Sequence, residues 1–99
     1  MSARRKTFLD AVFAARFEKT YAKLPHDRQG GVDKVVLALI KQEPTPGMRV
    51  KPIQPEKHYS EARISAGDRL VFRVDGGTVA FVDIVTHDDI ERYGKLLGL

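Results

Sequence analysis

The sequence predicts an α+β fold: two N-terminal helices packed on one face of a small antiparallel sheet, and a short C-terminal helix. Three observations carry this. Apolar residues recur at helical spacing through the first part of the chain, the period changes to two after Gly47, and Gly76-Gly77 joins two alternating runs.

Phe13, Phe17, Tyr21 and Leu24 recur at steps of four and three, and Pro25 stops the helix. What precedes it reads two ways. Thr7 with Asp10 resembles a capping box that would carry the helix back to Phe8, and "TFLDAVF" reads equally as a short strand. His26 reads as a surface residue of a polar loop. "VDKVVLALIKQE" sets Val32, Val35, Val36, Leu39 and Ile40 on one helical face, and "PTPG" then breaks the chain. "MRVKPI", "EARIS" and "RLVFRVD" alternate as strands. "TVAFVDIV" is apolar on both faces, as a central, doubly covered strand would be. Thr86, followed by Asp88 and Asp89, marks the start of the last helix, with Ile90, Tyr93 and Leu97 on one side.

Residues 1–99 fit a single domain, with no repeat, linker or low-complexity tract. Apolar residues make up 42% and charged ones 30%, the balance of a folded rather than a disordered chain. No apolar run is long enough for a bilayer, and the basic start is broken by Asp10, Arg16 and Glu18, unlike a signal peptide. The absence of cysteine excludes disulfides, a thiol nucleophile and thiolate metal sites, so a cytoplasmic protein is expected. The net charge of +4 is uneven: residues 1–57 hold 12 basic and 6 acidic side chains, and 58–99 hold 5 and 7. A basic half suits a polyanion, nucleic acid first, though +4 alone is equally ordinary solubility.

Strand parity sharpens this. With the apolar sides turned to the helices, one open face collects Arg49, Lys51, Arg63, Arg69 and Arg73. Such a face either binds phosphate or pairs its cations with Glu61, Asp68 and Asp75. His58 and His87 fall at strand ends, where they are expected to converge on one edge of the basic face. RNA cleavage needs this set: a group to take the 2′-hydroxyl proton, one to protonate the leaving 5′-oxygen, and cations for the phosphorane. Neither histidine has a metal-ligand spacing, so no metal or other cofactor is expected.

"FEKTYAKLP", "PTPGMRVKPI" and "YSEARISAGDRLVFRVDGGTVAFVDIVTHDD", in this order and spacing, resemble the RelE/ParE superfamily of type II toxin–antitoxin toxins over nearly the whole chain. The resemblance implies that "TFLDAVF" is a first strand. It implies ribosome-dependent mRNA cleavage without metal by 2′-hydroxyl attack in most branches, or non-enzymatic gyrase poisoning in the ParE branch. A degenerate, non-toxic homologue is the third reading. His87 matches the histidine after the last strand of YafQ-type toxins, and Asp68 the aspartate before their "LVFRV"-like strand. Arg69 matches an arginine of the RelE and YoeB types, Arg63 the "RRI"-type arginine, and Tyr93 a late tyrosine of RelE-type toxins. His58 matches an upstream histidine more loosely.

These matches imply His87 as general acid, Asp68 or His58 as base, Arg69 and Arg63 on the scissile phosphate, and Arg49, Lys51 and Arg73 along the RNA. The implied partners are mRNA on the ribosome and a cognate antitoxin, in a complex for which a heterotetramer is one form. The apolar residues of "IERYGKLLGL" are a candidate antitoxin surface.

Overall fold

The computed structural model describes residues 8–53 and 58–90. Strand β1 (Asp10–Phe13) leads into helices α1 (Ala15–Ala22) and α2 (His26–Ile40). Strands β2 (Lys51–Pro52), β3 (Ser60–Arg63), β4 (Asp68–Asp75) and β5 (Thr78–Thr86) follow. The sheet order is β1-β5-β4-β3-β2, antiparallel except that β1 lies parallel to β5. "TFLDAVF" therefore supplies a strand from Asp10 on, and Phe13 belongs to β1 rather than to the first helix. The second helix begins earlier than its apolar stripe suggests, with His26 exposed in its first turn and not in a loop. Ile90 has helical geometry, but Tyr93 and the remainder of the expected last helix lie outside the described residues.

Local chemistry explains the boundaries. Pro25 caps α2, where its missing N–H removes no helical bond. At the other end Glu43 N–H reaches the carbonyl of Ala38 at 2.9 Å and Gln42 N–H that of Leu39 at 3.1 Å. That is the Schellman pattern, with Gln42 at φ 60° in the position usually given to glycine. In the β4–β5 hairpin Gly76, the first of the two turn residues, has a positive φ (63°), which the tight turn requires and a side chain would strain.

The main core lies between sheet and helices. Phe17, Val32, Val35 and Leu39 pack on Ala62, Leu70, Phe72, Val79, Phe81 and Ile84. Beside it an open cavity of about 410 Å³ is lined by Phe13, Phe17, Tyr21 and Val36, with Glu18 and Asp33 also contributing. The Tyr21 hydroxyl donates to Asp33 at 2.7 Å, and this bond raises the phenol pKa, keeping it protonated. A second cluster covers part of the other face: Ile53, Val71 and Ile90, with Tyr59, Val82 and Val85. That cluster accounts for the two-sided apolar pattern of β5.

Gly30 offers a test of α2. It is exposed, and a Cβ there would meet nothing within 4 Å. Gly30→Ala is expected to raise stability by about 0.5–1 kcal/mol, the cost of glycine in a helix interior. At Gly31 the same Cβ would lie 3.3 Å from the side chain of Ile64, so Gly31→Ala should gain less or lose. Urea unfolding of both variants checks the order.

Candidate active site

The site forms where β4 begins and β5 ends. Arg69 is opposite Arg63 on one side and Val85 on the other, so these three side chains share the face turned away from the helices. A register shift brings His87 there too. Val71 pairs with Asp83 but Phe72 pairs with Phe81, which leaves Val82 as an extra residue in β5. Before this bulge odd-numbered Val79 and Phe81 face the helices; after it even-numbered Ile84 does. Val85 is thereby turned to the open face, and His87 follows two residues later. The His87 N–H then bonds to the carbonyl of Gly67 at 2.9 Å, fixing the residue beside the β3–β4 turn. Thr86 caps the next turn, its hydroxyl accepting from Asp89 N–H at 3.1 Å.

Arg69 is the centre of the arrangement. Its Nη1 donates to the carbonyls of Ser65 at 2.7 Å and Asp68 at 3.0 Å. Nη2 lies 2.8 Å from His87 Nδ1, and Nε lies 3.8 Å from Glu61 Oε1. Its side chain is only 11% exposed, as is that of Glu61. Arg63, half-buried, has no side-chain ion pair or hydrogen bond among the described residues. Two arginines in directly opposed positions, with a carboxylate near Arg69 alone, leave a positive surface that an anion would relieve.

Other expected members are placed differently. Asp68 faces the helices: Arg28 of α2 grips both its oxygens, at 2.6 and 3.1 Å, and Ser65 lies 3.4 Å away. The Asp68 hydrogen bond, and then its charge, raise the Arg28 pKa. The carboxylate thus closes the β3–β4 turn from the side opposite Arg69. His58 precedes β3 at the far end, five residues before Arg63, on the order of 15 Å along an extended chain. The two histidines therefore do not converge. Tyr59 marks that distant end, with Arg73 5.9 Å over its ring and Asp75 3.5 Å from the same guanidinium. Lys51 stands opposite Glu61 in the strand register on the open face, while Arg49, at φ 46°, sits in a left-handed turn before β2 and on no strand. Among the described residues the basic face is thus partly ion-paired, by Glu61 and Asp75, and partly unpaired. Arg28 was not anticipated, because a helix-borne arginine after Pro25 has no strand parity to mark it. Among the described residues no three His, Asp or Glu side chains are grouped as a metal site would need.

No protein-family model and no curated protein sequence matches the chain. Solved structures do. A copper-bound mutant toxin from Helicobacter pylori aligns with TM-score 0.71 and 21% identity, over 82% of this chain and 97% of its own. The fold is that of RelE- and YafQ-type toxins. The E. coli DinJ–YafQ toxin–antitoxin complex aligns with TM-score 0.69 and 19% identity, over 81% of this chain and 93% of the matched one. The Mycobacterium tuberculosis RelBE2 complex gives 0.65 and 22%, over 81% and 99%. Both of these are structures of toxin–antitoxin complexes. None of the described helices is long and apolar enough to cross a membrane.

Proposed function

We propose that the chain is an mRNA endonuclease toxin that acts on the ribosome and is neutralised by a cognate antitoxin in the cytoplasm. The observation that carries this reading is the Arg69–His87 pair beside Arg63, unpaired among the described residues, on the open face of a RelE-type fold. The reaction is transfer of the phosphoryl group to the 2′-oxygen. The 2′-oxygen attacks phosphorus, the bond to the 5′-oxygen breaks, and a 2′,3′-cyclic phosphate remains. His87 protonates the leaving 5′-oxygen. Arg63 stabilises the anionic phosphorane, and Lys51, Arg73 and Arg49 lie along the RNA on either side. Glu61, beside Arg69, takes the 2′-hydroxyl proton, in place of Asp68, whose oxygens are held on the other face. Tyr93, outside the described residues, is proposed to join them.

The test is expression followed by mapping of mRNA 5′ ends in a translating extract. New ends within coding regions are expected. Growth arrest with supercoiling defects and no new ends would replace this reading with a ParE-like action on gyrase. No arrest at all would indicate a non-toxic homologue.

A further inference from the structure

We infer that Arg69 is a positioning residue: through Nη2 it holds His87 as the Nε2–H tautomer and turns that N–H outward as the proton donor of the site. The inference rests on the nuclease reading for its purpose, but not for its geometry. A guanidinium has five N–H donors and no acceptor. Nη2 at 2.8 Å from His87 Nδ1 therefore requires a lone pair on Nδ1, which places the ring proton on Nε2. The contact is held from three directions. The Ser65 and Asp68 carbonyls take Nη1, at 2.7 and 3.0 Å, and Glu61 faces Nε. His87 itself is tied through its backbone to Gly67 at 2.9 Å, so the ring and the guanidinium are both anchored to one turn.

Little of Arg69 is left for a phosphate. With its side chain 11% exposed, Nη1 on the turn and Nη2 on the ring, it presents one unassigned N–H of Nη2. Arg63, opposite it and without a partner among the described residues, is the arginine open to an incoming anion. The two opposed arginines thus divide the work. Arg63 meets the phosphate, and Arg69 meets the acid. Transfer of the Nε2 proton to the developing 5′-oxyanion leaves the ring as an imidazolate, and its negative charge at Nδ1 then faces the Arg69 guanidinium 2.8 Å away.

Two measurements test this. In the full ¹⁵N-labelled chain, at a pH where the ring is neutral, two-bond ¹H–¹⁵N spectra should show His87 with Nδ1 wholly unprotonated. A scalar coupling across the Arg69 Nη2–H···Nδ1 bond should accompany it. Arg69→Ala should abolish the coupling and let both tautomers appear, whereas Arg63→Ala should preserve the wild-type spectrum. Cleavage supplies the second arm. Arg69→Ala is expected to lose activity on the order of 10²-fold in the native background and less than about twofold in a His87→Ala background, because it acts through the ring. Arg63→Ala should add its loss in both. A protonated Nδ1, mixed tautomers in the wild type, or additive Arg69 and His87 losses would overturn the assignment. If the chain cleaves no RNA, the spectra still decide the Arg69–His87 contact, and only the proposed reaction falls.

Discussion

His87→Ala is expected to lower mRNA cleavage by about 10²–10⁴-fold, the range for loss of a general acid, while the protein stays folded. The side chain is exposed and belongs to neither apolar cluster, so its removal opens no cavity. The bond that places residue 87, from its N–H to the Gly67 carbonyl, is a backbone bond that alanine keeps. Arg69 keeps the Ser65 and Asp68 carbonyls. A normal melting curve with lost cleavage is the expected pair of results. Asp68→Asn should give the reverse. It removes the charge that Arg28 grips and weakens the closure of the turn, so the melting point falls while cleavage per folded molecule is retained. Wild-type cleavage by folded His87→Ala would remove His87 from the mechanism. Lost cleavage in a fully stable Asp68→Asn would return Asp68 to it.

The contrast between these two residues shows how far the sequence could be read. Alternation in "RLVFRVD" correctly separates Leu70 and Phe72 from Arg69 and Arg73, because a strand without a bulge has a strict period of two. By the same rule Asp68 belongs with Leu70 and not with Arg69, so the likeness of "DR" to a catalytic pair conflicted with parity. Parity was right. In β5 a strict period fails, since the extra residue at Val82 switches faces mid-strand, while the apolar residues of "TVAFVDIV" on both faces are met by the two clusters that cover them. The placement of His87 beside Arg69 depends on that bulge. Thr86 and the aspartates pointed to the start of a helix; the Thr86 hydroxyl does accept from Asp89 N–H and Ile90 is helical, while the remainder of the expected helix lies outside the described residues. The first strand was ambiguous for a physical reason as well. It is four residues long, and Phe13 continues the aromatic stripe of α1, its ring 5.3 Å from that of Phe17 although it sits on a strand. Distance in sequence misled for the histidines: strand ends are shared places only when the strands run to the same end of the sheet.

Phe81→Ala should have the largest effect on stability, about 3–5 kcal/mol, as for other buried phenylalanines cut to alanine. Phe81 is fully buried near the middle of β5, the strand that joins β1 to the rest of the sheet. Its ring stacks on Phe13 at 5.2 Å and lies 6.0 Å from Phe17, and it is paired with Phe72 on the neighbouring strand. Removing it leaves a void bounded by a sheet on one side and α1 on the other. Backbone bonds tie both, including Ala14 N–H to the Phe81 carbonyl at 2.9 Å, so neither can readily collapse inward. For a domain whose whole stability is about 5–15 kcal/mol, such a loss consumes a large fraction. The damage should also be local first. β1 and α1 lose the ring they rest on, so their amides should exchange faster than those of β3 and β4. Val74, on the same face of β4 but 52% exposed, is the control, and Val74→Ala should cost less than about 0.5 kcal/mol. Urea unfolding with hydrogen exchange on both variants makes the comparison. A Phe81→Ala cost near that of Val74→Ala would mean that the aromatic cluster is not what holds β1 and α1 to the sheet.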